Sequence, residues 1–409
     1  MQSLLGAAIF STPLIVAWSN PYVATILGAI VLMFLSFGFS TWRRHKSAIL
    51  VADEAIGSVG ARVIKIERPE GDFARNYDSN ALGNSAYFVW LNRGKESIAL
   101  DLKNSEDFKI FENIISKSDI LIQNLAPGAF DRLGLNLDEL RKKYPSLITC
   151  SISGFGDEGP YKNQKAYDML IQAETGVIDI TGLPDKAGVD GRAKVGPSVC
   201  DISAGMTAYQ AILQALIKRS VSGKGRHISV SMFNSLADWM NPFYLGYVYN
   251  NKIPKRNGMT HPIIVPYGAY NCKDNLTILI AIQNDREWVK LCKIVLDDET
   301  MVNDTRFKTN SDRVTNRELT EKIIQDKFIT FEREELIEKL EEASVAYGRI
   351  SDMEQLKNHP QNNFLEIETK NGKVKVLGPG AIHDNLIPEV NKMPELDEHG
   401  KKIRTEFSS

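Results

Sequence analysis

The feature that most restricts how this chain can fold is an alternation of strand-like and helix-like runs between Ala61 and Ile152. Ala61–Glu67 (ARVIKIE) reads as a strand closed by the turn chemistry of Arg68-Pro69-Glu70-Gly71-Asp72. Ser97–Leu102 (SIALDL), Asp119–Gln123 (DILIQ) and Leu147–Ile152 (LITCSI) repeat the strand pattern. Between them, Ser105–Lys117 and Leu137–Tyr144 carry apolar residues at helical spacing. This succession predicts a parallel sheet with helices on both faces, and ligands of such sheets bind outside the carboxyl ends of the strands. The loops after Glu67, Gln123 and Ile152 are therefore where a site is expected.

Further along, a helix is predicted from Asp201 to about Lys218, with Met206, Tyr209, Leu213 and Leu216 on one face and Ser222-Gly-Lys-Gly225 as its stop. His227–Met232 alternate as a strand does. Beyond lie an aromatic-rich helix, a Pro/Gly-rich loop from Asn257 to Gly268 and a strand at Leu276–Ile282. A chain of 409 residues exceeds what one core usually organises. The expected division is a large Rossmann-like α/β domain at 47–229 and a smaller α+β domain at 230–330. A C-terminal segment at 331–409, opening on the charged helix Arg333–Ala343, is expected to return to the first domain.

Residues 1–46 are unlike the rest. Val23–Trp42 is an uncharged apolar run, long enough as a helix to cross a hydrocarbon core of roughly 30 Å, and it ends in Arg43-Arg44-His45-Lys46. The earlier run Leu4–Trp18 is interrupted by Pro13 and reads as an interfacial or hairpin segment. Neither run is preceded by the basic residues of a cleaved signal peptide. The expectation is an added N-terminal apolar helix retained as a membrane anchor, with the downstream domain on the cytoplasmic side; a buried core helix is the alternative.

Charge excludes some functions. The formal net charge is −2, so no basic field exists to attract nucleic acid. The four cysteines form no CxxC pair and the six histidines show no HExxH spacing, so neither a disulfide framework nor a metal is expected.

Several short segments carry a resemblance when taken in order: VIKIERP (63–69), LNRGK (91–95), SIALDLK (97–103), QNLAPG (123–128) and RLG (132–134). SGFG (153–156), GPY (159–161), AYD (166–168), CD (200–201), AGM (204–206) and GKG (223–225) continue it. Each piece alone is weak, but the ordered set resembles type III CoA-transferases from about Gly60 onward. That family includes formyl-CoA transferase, carnitine CoA-transferase and the α-methylacyl-CoA racemases. The resemblance implies an acyl-CoA enzyme whose two subunits interlock as rings in a homodimer, with no cofactor beyond CoA itself.

Within that pattern the nucleophilic aspartate corresponds to Asp201. A carboxylate attacks an acyl-CoA thioester to give a mixed anhydride, which CoA thiolate converts to an aspartyl-CoA thioester. The bland reading of Asp201 is a helix N-cap. The resemblance further assigns CoA contacts to Arg68, Leu100, Lys103, Asn124, Leu125, Ala126, Arg132, Lys165 and Tyr167. Cations are what a phosphate-bearing ligand requires, although a lone Lys or Arg is more often a solvated charge.

The racemases place a histidine where this chain has Tyr167, and a tyrosine suits proton exchange near neutral pH poorly. The transferase reading gains from that difference. The stretch Asn257–Tyr270 lacks the glycine run of formyl-CoA transferase and is similar to the His-Pro and Pro-Tyr-Gly-Ala-Tyr segment of mesaconyl-CoA, citramalate and malate transferases. It suggests small dicarboxylates, with Arg256 and His261 as contacts to a second carboxylate. A structural histidine is the alternative for His261. One departure stands out: the family's first strand and its proline-containing loop have no recognisable counterpart, the region from Arg43 to Ala55 having no proline. The sheet is thus expected to lack its first strand, which leaves an inactive, membrane-attached CoA-binding relative as a further alternative.

Overall fold

The computed structural model describes residues 30–33, 60–125, 128–184, 189–381 and 392–408. Six strands form the central sheet: β1 Ile30–Met33, β2 Arg62–Glu67, β3 Glu96–Ala99, β4 Ile120–Gln123, β5 Ile148–Ser153 and β6 His227–Ser231. Their order is β3-β2-β1-β4-β5-β6, and every pairing is parallel. The chain winds outward from β1 to β3, returns past β1, and winds the other way from β4 to β6. The crevice outside the carboxyl ends of β1 and β4 is the topological switch point, where doubly wound sheets bind their ligands.

β1 overturns two expectations. Ile30–Met33 lie inside the apolar run read as one helix over Val23–Trp42, yet they pair with β2 on one side and β4 on the other. Backbone hydrogen bonded in the middle of a sheet cannot also turn a membrane-crossing helix. The rest of that run and the segment 43–55 lie outside the described residues. Among the described residues no helix is long and apolar enough to cross a membrane. The same four residues fill the place of the first strand, for which the sequence showed no counterpart.

Alternation along the strands builds two cores. Val63, Ile120, Ile122, Ile148, Cys150 and Ile152 face one side, and Ile64, Ile66 and Leu121 face the other. Such strands are buried on both faces, as a sheet covered on both sides by helices requires. Three helices flank the first half of the sheet: α1 Ala86–Asn92, α2 Ser105–Ser116 and α3 Leu137–Lys143. α2 presents Phe111, Ile114 and Ile115 to one face. α4 Asp168–Glu174 leads towards the long α5 Val199–Ser222, which covers the other face through Cys200, Ala204, Ala208, Ile212 and Ala215. Small residues along that stripe let the helix lie close to the sheet. α5 begins two residues before Asp201 and ends on Gly223, whose φ of 68° closes it in the left-handed conformation.

α6 Asn241–Asn250 follows, and then a second sheet in which β7 Tyr267–Asn271, β8 Thr277–Ala281 and β9 Ala346–Arg349 pair antiparallel. α7 Arg317–Phe328 and α8 Arg333–Glu342 pack with it around Trp288, Phe328, Leu336 and Leu340. After the hairpin β10 Phe364–Thr369 and β11 Gly372–Leu377, α9 Gly400–Glu406 returns to the first sheet. There Asp397 accepts from Ala99 N at 2.8 Å and Arg404 donates to Ala99 O at 2.6 Å, satisfying backbone groups of edge strand β3.

Candidate active site

The loop ends singled out in the sequence meet along the carboxyl rim of the parallel sheet. Arg68 follows β2, Leu100 follows β3, and Asn124 and Leu125 follow β4, beside the switch point. The turn carrying Arg68 rests on buried charge. Glu67 is fully buried and accepts from Arg75 at 2.6 and 2.9 Å, from Ser97 Oγ at 2.7 Å and from Asp72 N at 2.9 Å. Burial alone would raise its pKa, but the bonds and charges of Arg75, Lys65 and Ser97 hold the carboxyl below the usual carboxylate range. Lys65 and Asp72, both buried, pair at 2.7 Å. The turn closes through Gly71, whose φ of 80° is the left-handed region that glycine enters without strain.

Arg68 itself is aimed by three contacts. Its Nε donates to Gly71 O at 2.7 Å, its guanidinium carbon lies 3.7 Å from the centroid of the Phe73 ring, and Glu70 stands 3.7 Å from Nε. Leu100 is fully buried, and Lys103 is exposed on the turn where its N–H meets Asp101 at 3.0 Å. Asn124 and Leu125 are buried, and Leu125 N donates to Gln123 Oε1 at 2.6 Å, fixing the loop after β4. Ala126 lies outside the described residues. Arg132 ends the one-turn helix Ala129–Arg132 and is exposed. Its Nη1 lies 3.1 Å from where a Cβ on Gly128 would stand, so glycine there leaves room for the guanidinium. A cavity of about 300 Å³ adjoins this loop, with Leu125, Gly128, Ser151 and His227 among its walls.

A second group of residues gathers at the start of α5. Asp201 is buried, with 6% of its surface exposed. It sits in the first turn rather than at the cap, which is Ser198. The cap function falls to Asp168, the first residue of α4. Its Oδ1 accepts from Cys200 N at 2.8 Å and from Asp201 N at 3.2 Å. Its Oδ2 accepts from Gln172 Nε2 at 2.7 Å. Lys165 and Tyr167 lead into α4, both exposed. From α1, Tyr87 OH reaches Ser198 Oγ at 3.5 Å and Tyr87 packs with Tyr77 and Trp90, so an aromatic ridge stands beside the helix start.

The rim and the helix start are the two clusters into which the sequence-derived residues fall. Arg256 and His261 join neither cluster by any contact described: Arg256 donates to Asp179 O at 2.6 Å and Leu183 O at 3.0 Å, and His261 stacks on Tyr267 at 5.0 Å while its Nδ1 accepts from Ile263 N. Both side chains hold loops together, and a contact with a second carboxylate gains no support from this geometry. Sequence reasoning passed over Phe73, Tyr87 and Gln172, and saw Asp168 only as part of a motif. The spacing of Asp168 and Gln172, four apart on one helix, was a usable signal.

A family model described as CoA-transferase family III matches residues 47–400. The chain belongs to this family. It is 35% identical over 354 residues to an acetyl-CoA:oxalate CoA-transferase of Acetobacter aceti, an alignment covering 86% of this chain and 90% of the relative. A succinyl-CoA:glutarate CoA-transferase of Homo sapiens is 32% identical over 363 residues, with 86% and 81% covered. Among solved structures, a CAIB/BAIF family protein from Brucella suis superposes with a TM-score of 0.77 at 31% identity, over 93% of this chain and 98% of that one. This family III protein is an acyl-CoA:carboxylate CoA-transferase, with CoA thioesters as substrates, and the racemase alternative falls away.

Proposed function

We propose that this transferase exchanges CoA between small dicarboxylic acids, with Asp201 carrying first the acyl group and then CoA. The observation behind the choice is the placement of a buried carboxylate in the first turn of a 24-residue helix, with its own backbone N–H held by Asp168. A helix N-terminus favours negative charge, so the ionised nucleophile is stabilised before the donor arrives. An Asp201 oxygen adds to the thioester carbonyl, the C–S bond breaks, and CoA leaves as thiolate. The thiolate then attacks the Asp201 carbonyl of the anhydride, releasing the donor acid and leaving an aspartyl-CoA thioester. The acceptor carboxylate repeats these steps in reverse, and Asp201 is regenerated as a carboxylate.

Arg68, Lys103, Arg132 and Lys165 would meet the phosphates of CoA. Leu100, Asn124, Leu125 and Ala126 would line the groove for its nucleotide and pantetheine arm, and Tyr167 would stand at its reactive end. The position of Asn124 at the switch point and of Arg68 after the neighbouring strand β2, on the same carboxyl rim as Leu100, supports this assignment. Dicarboxylate substrates are supported by relatives named for oxalate, glutarate and mesaconate. An interlocked homodimer is supported by the exposed Trp239, Tyr244, Tyr247, Tyr249 and Ile253 around α6, an apolar surface that a second copy would cover.

The deciding experiment incubates the protein with succinyl-CoA or oxalyl-CoA, with and without hydroxylamine, and maps peptides by mass spectrometry. A hydroxylamine-sensitive adduct on the peptide carrying Asp201 is the expected result. An adduct on a different carboxylate, or turnover by Asp201→Ala, refutes the assignment.

A further inference from the structure

We infer that Gln172 is a positioning residue for the transfer reaction: it locks the Asp168 carboxylate in the orientation that clamps the backbone of Asp201. The inference rests on the reading of Asp201 as the nucleophile.

Gln172 shows no exposed surface, and its amide is engaged at both ends. Oε1 accepts from Val195 N at 3.0 Å and Nε2 donates to Asp168 Oδ2 at 2.7 Å. These two partners fix which end of the amide is which. Flipped, the carbonyl would face a carboxylate oxygen and the NH2 would face a backbone N–H, two repulsive contacts in place of two bonds. With Oδ2 so tied, Oδ1 is left facing α5, where it accepts from Cys200 N and Asp201 N. Three donors therefore hold one carboxylate, and one of them is the amide of the residue that carries the acyl group.

Val195 adds a further constraint. It lies in the stretch between Val189 and Ser198 that delivers the chain to α5, so Gln172 ties this approach to the same carboxylate that grips the first turn. Rotation of Asp168 about its own Cβ–Cγ bond would release the Cys200 and Asp201 amides together. Gln172 blocks that rotation, and reacting atoms must be held to within a fraction of an ångström through several successive acyl transfers.

Substitution by glutamate turns the lock into a titratable one. When ionised, the introduced carboxylate keeps the acceptor for Val195 N but sets a second negative charge against Asp168 Oδ2. When protonated, its O–H donates to Asp168 and restores the clamp. Gln172→Glu is expected to lower kcat about 30-fold at pH 8, with KM for the CoA donor within about twofold, and to recover as pH falls towards 5. Gln172→Met, which fills similar volume with no donor, is expected to lose about tenfold in kcat at every pH. Wild-type rates in both variants, or an identical pH-independent loss in both, would overturn the inference. Should Gln172→Glu fail to fold, the rate of adduct formation on Asp201 in Gln172→Met decides: a tenfold slower burst supports the lock, and an unchanged burst removes it. The wild-type adduct map separates the two ideas, since absence of an Asp201 adduct in the unaltered enzyme sinks the nucleophile reading itself.

Discussion

The rim that carries Arg68 and the helix start that carries Asp201 are both built to handle negative charge, by different means. At the rim, fixed ions do the work: Lys65, Glu67, Asp72 and Arg75 form a buried network under the turn, and the outer end of Arg68 is projected from it. At the helix start, neutral dipoles do it: Asp201 lies in the first turn of α5, and two backbone amides and one side-chain amide gather on the neighbouring Asp168. The difference suits the tasks. A CoA phosphate keeps its charge throughout, so a permanent counter-charge is appropriate. On the proposed mechanism the carboxylate of Asp201 gains and loses charge in each cycle, and the helix dipole beside it tolerates both states where a fixed cation would hold one of them too tightly.

The largest difference between the two regions is expected at Asp201. Asp201→Ala removes the only group proposed to change its bonding, so transfer is expected to fall by at least about 1,000-fold while CoA binding, measured by calorimetry, changes little. If CoA affinity collapsed as well, the two regions would be one unit rather than two.

Next in size is the rim's buried foundation. Glu67→Gln leaves the partly buried Arg75 with a neutral partner, and breaking a well-buried pair costs up to about 3–5 kcal/mol. The expected signs are a lowered Tm and a raised KM for acyl-CoA with kcat per folded molecule largely kept. The pH dependence has a definite sign. Because the folded Glu67 carboxyl is held below its ordinary value, its contribution to stability is complete above a pH of about 4.3, where the unfolded group is already ionised. That contribution is lost as pH falls through the lower folded value. Denaturant titrations from pH 6 to 3 should show a steeper acid loss in the wild type than in Glu67→Gln.

Arg132 tests whether the rim's cations share one support. It stands exposed at the end of a one-turn helix, so Arg132→Ala is expected to raise KM for the CoA donor about tenfold, to leave kcat within about twofold, and to leave Tm nearly unchanged. A stability loss comparable to that of Glu67→Gln would mean that the rim's cations share one foundation.

Which of these features the sequence disclosed depended on the range of the interaction. Strand bounds from β2 to β6 agree with the sequence reading to within three residues, because alternation is a local signal: DILIQ predicted at 119–123 is β4 at 120–123, whereas the helix read from Asp201 to about Lys218 runs from Val199 to Ser222. Ile30–Met33 were misread for the same reason. A central strand of a parallel sheet and an apolar helix can have the same composition, and the paired partners that decide between them, Arg62–Lys65 and Ile120–Ile122, lie far along the chain. The placement of Arg68, Leu100 and Asn124 at strand carboxyl ends was legible through the strand pattern and the parallel-sheet rule. Gln172 was not, because its meaning comes from Val195 and from a helix that begins 27 residues later. The donation of Arg256 to the carbonyls of Asp179 and Leu183 was equally invisible in the sequence, because those partners lie more than 70 residues away.

The smallest expected effect is also the most specific test of how the rim is aimed. The Phe73 ring lies under the Arg68 guanidinium at 3.7 Å, and Gly71 O takes its Nε–H, which leaves the remaining N–H groups of the fork for an outside ligand. A cation–π contact of this kind, partly shielded from water, contributes about 0.5–1 kcal/mol. Phe73→Leu keeps an apolar side chain in the turn but removes the ring face, so the fork loses a wall while the buried network beneath it is untouched. KM for acyl-CoA is expected to rise about two- to fivefold, with kcat and Tm unchanged, and Phe73→Tyr should restore the wild-type value because its ring offers the same face. A Phe73→Leu variant whose KM matches the wild type would show that Gly71 O and the buried ions alone aim Arg68, and the rim would then be a purely ionic device.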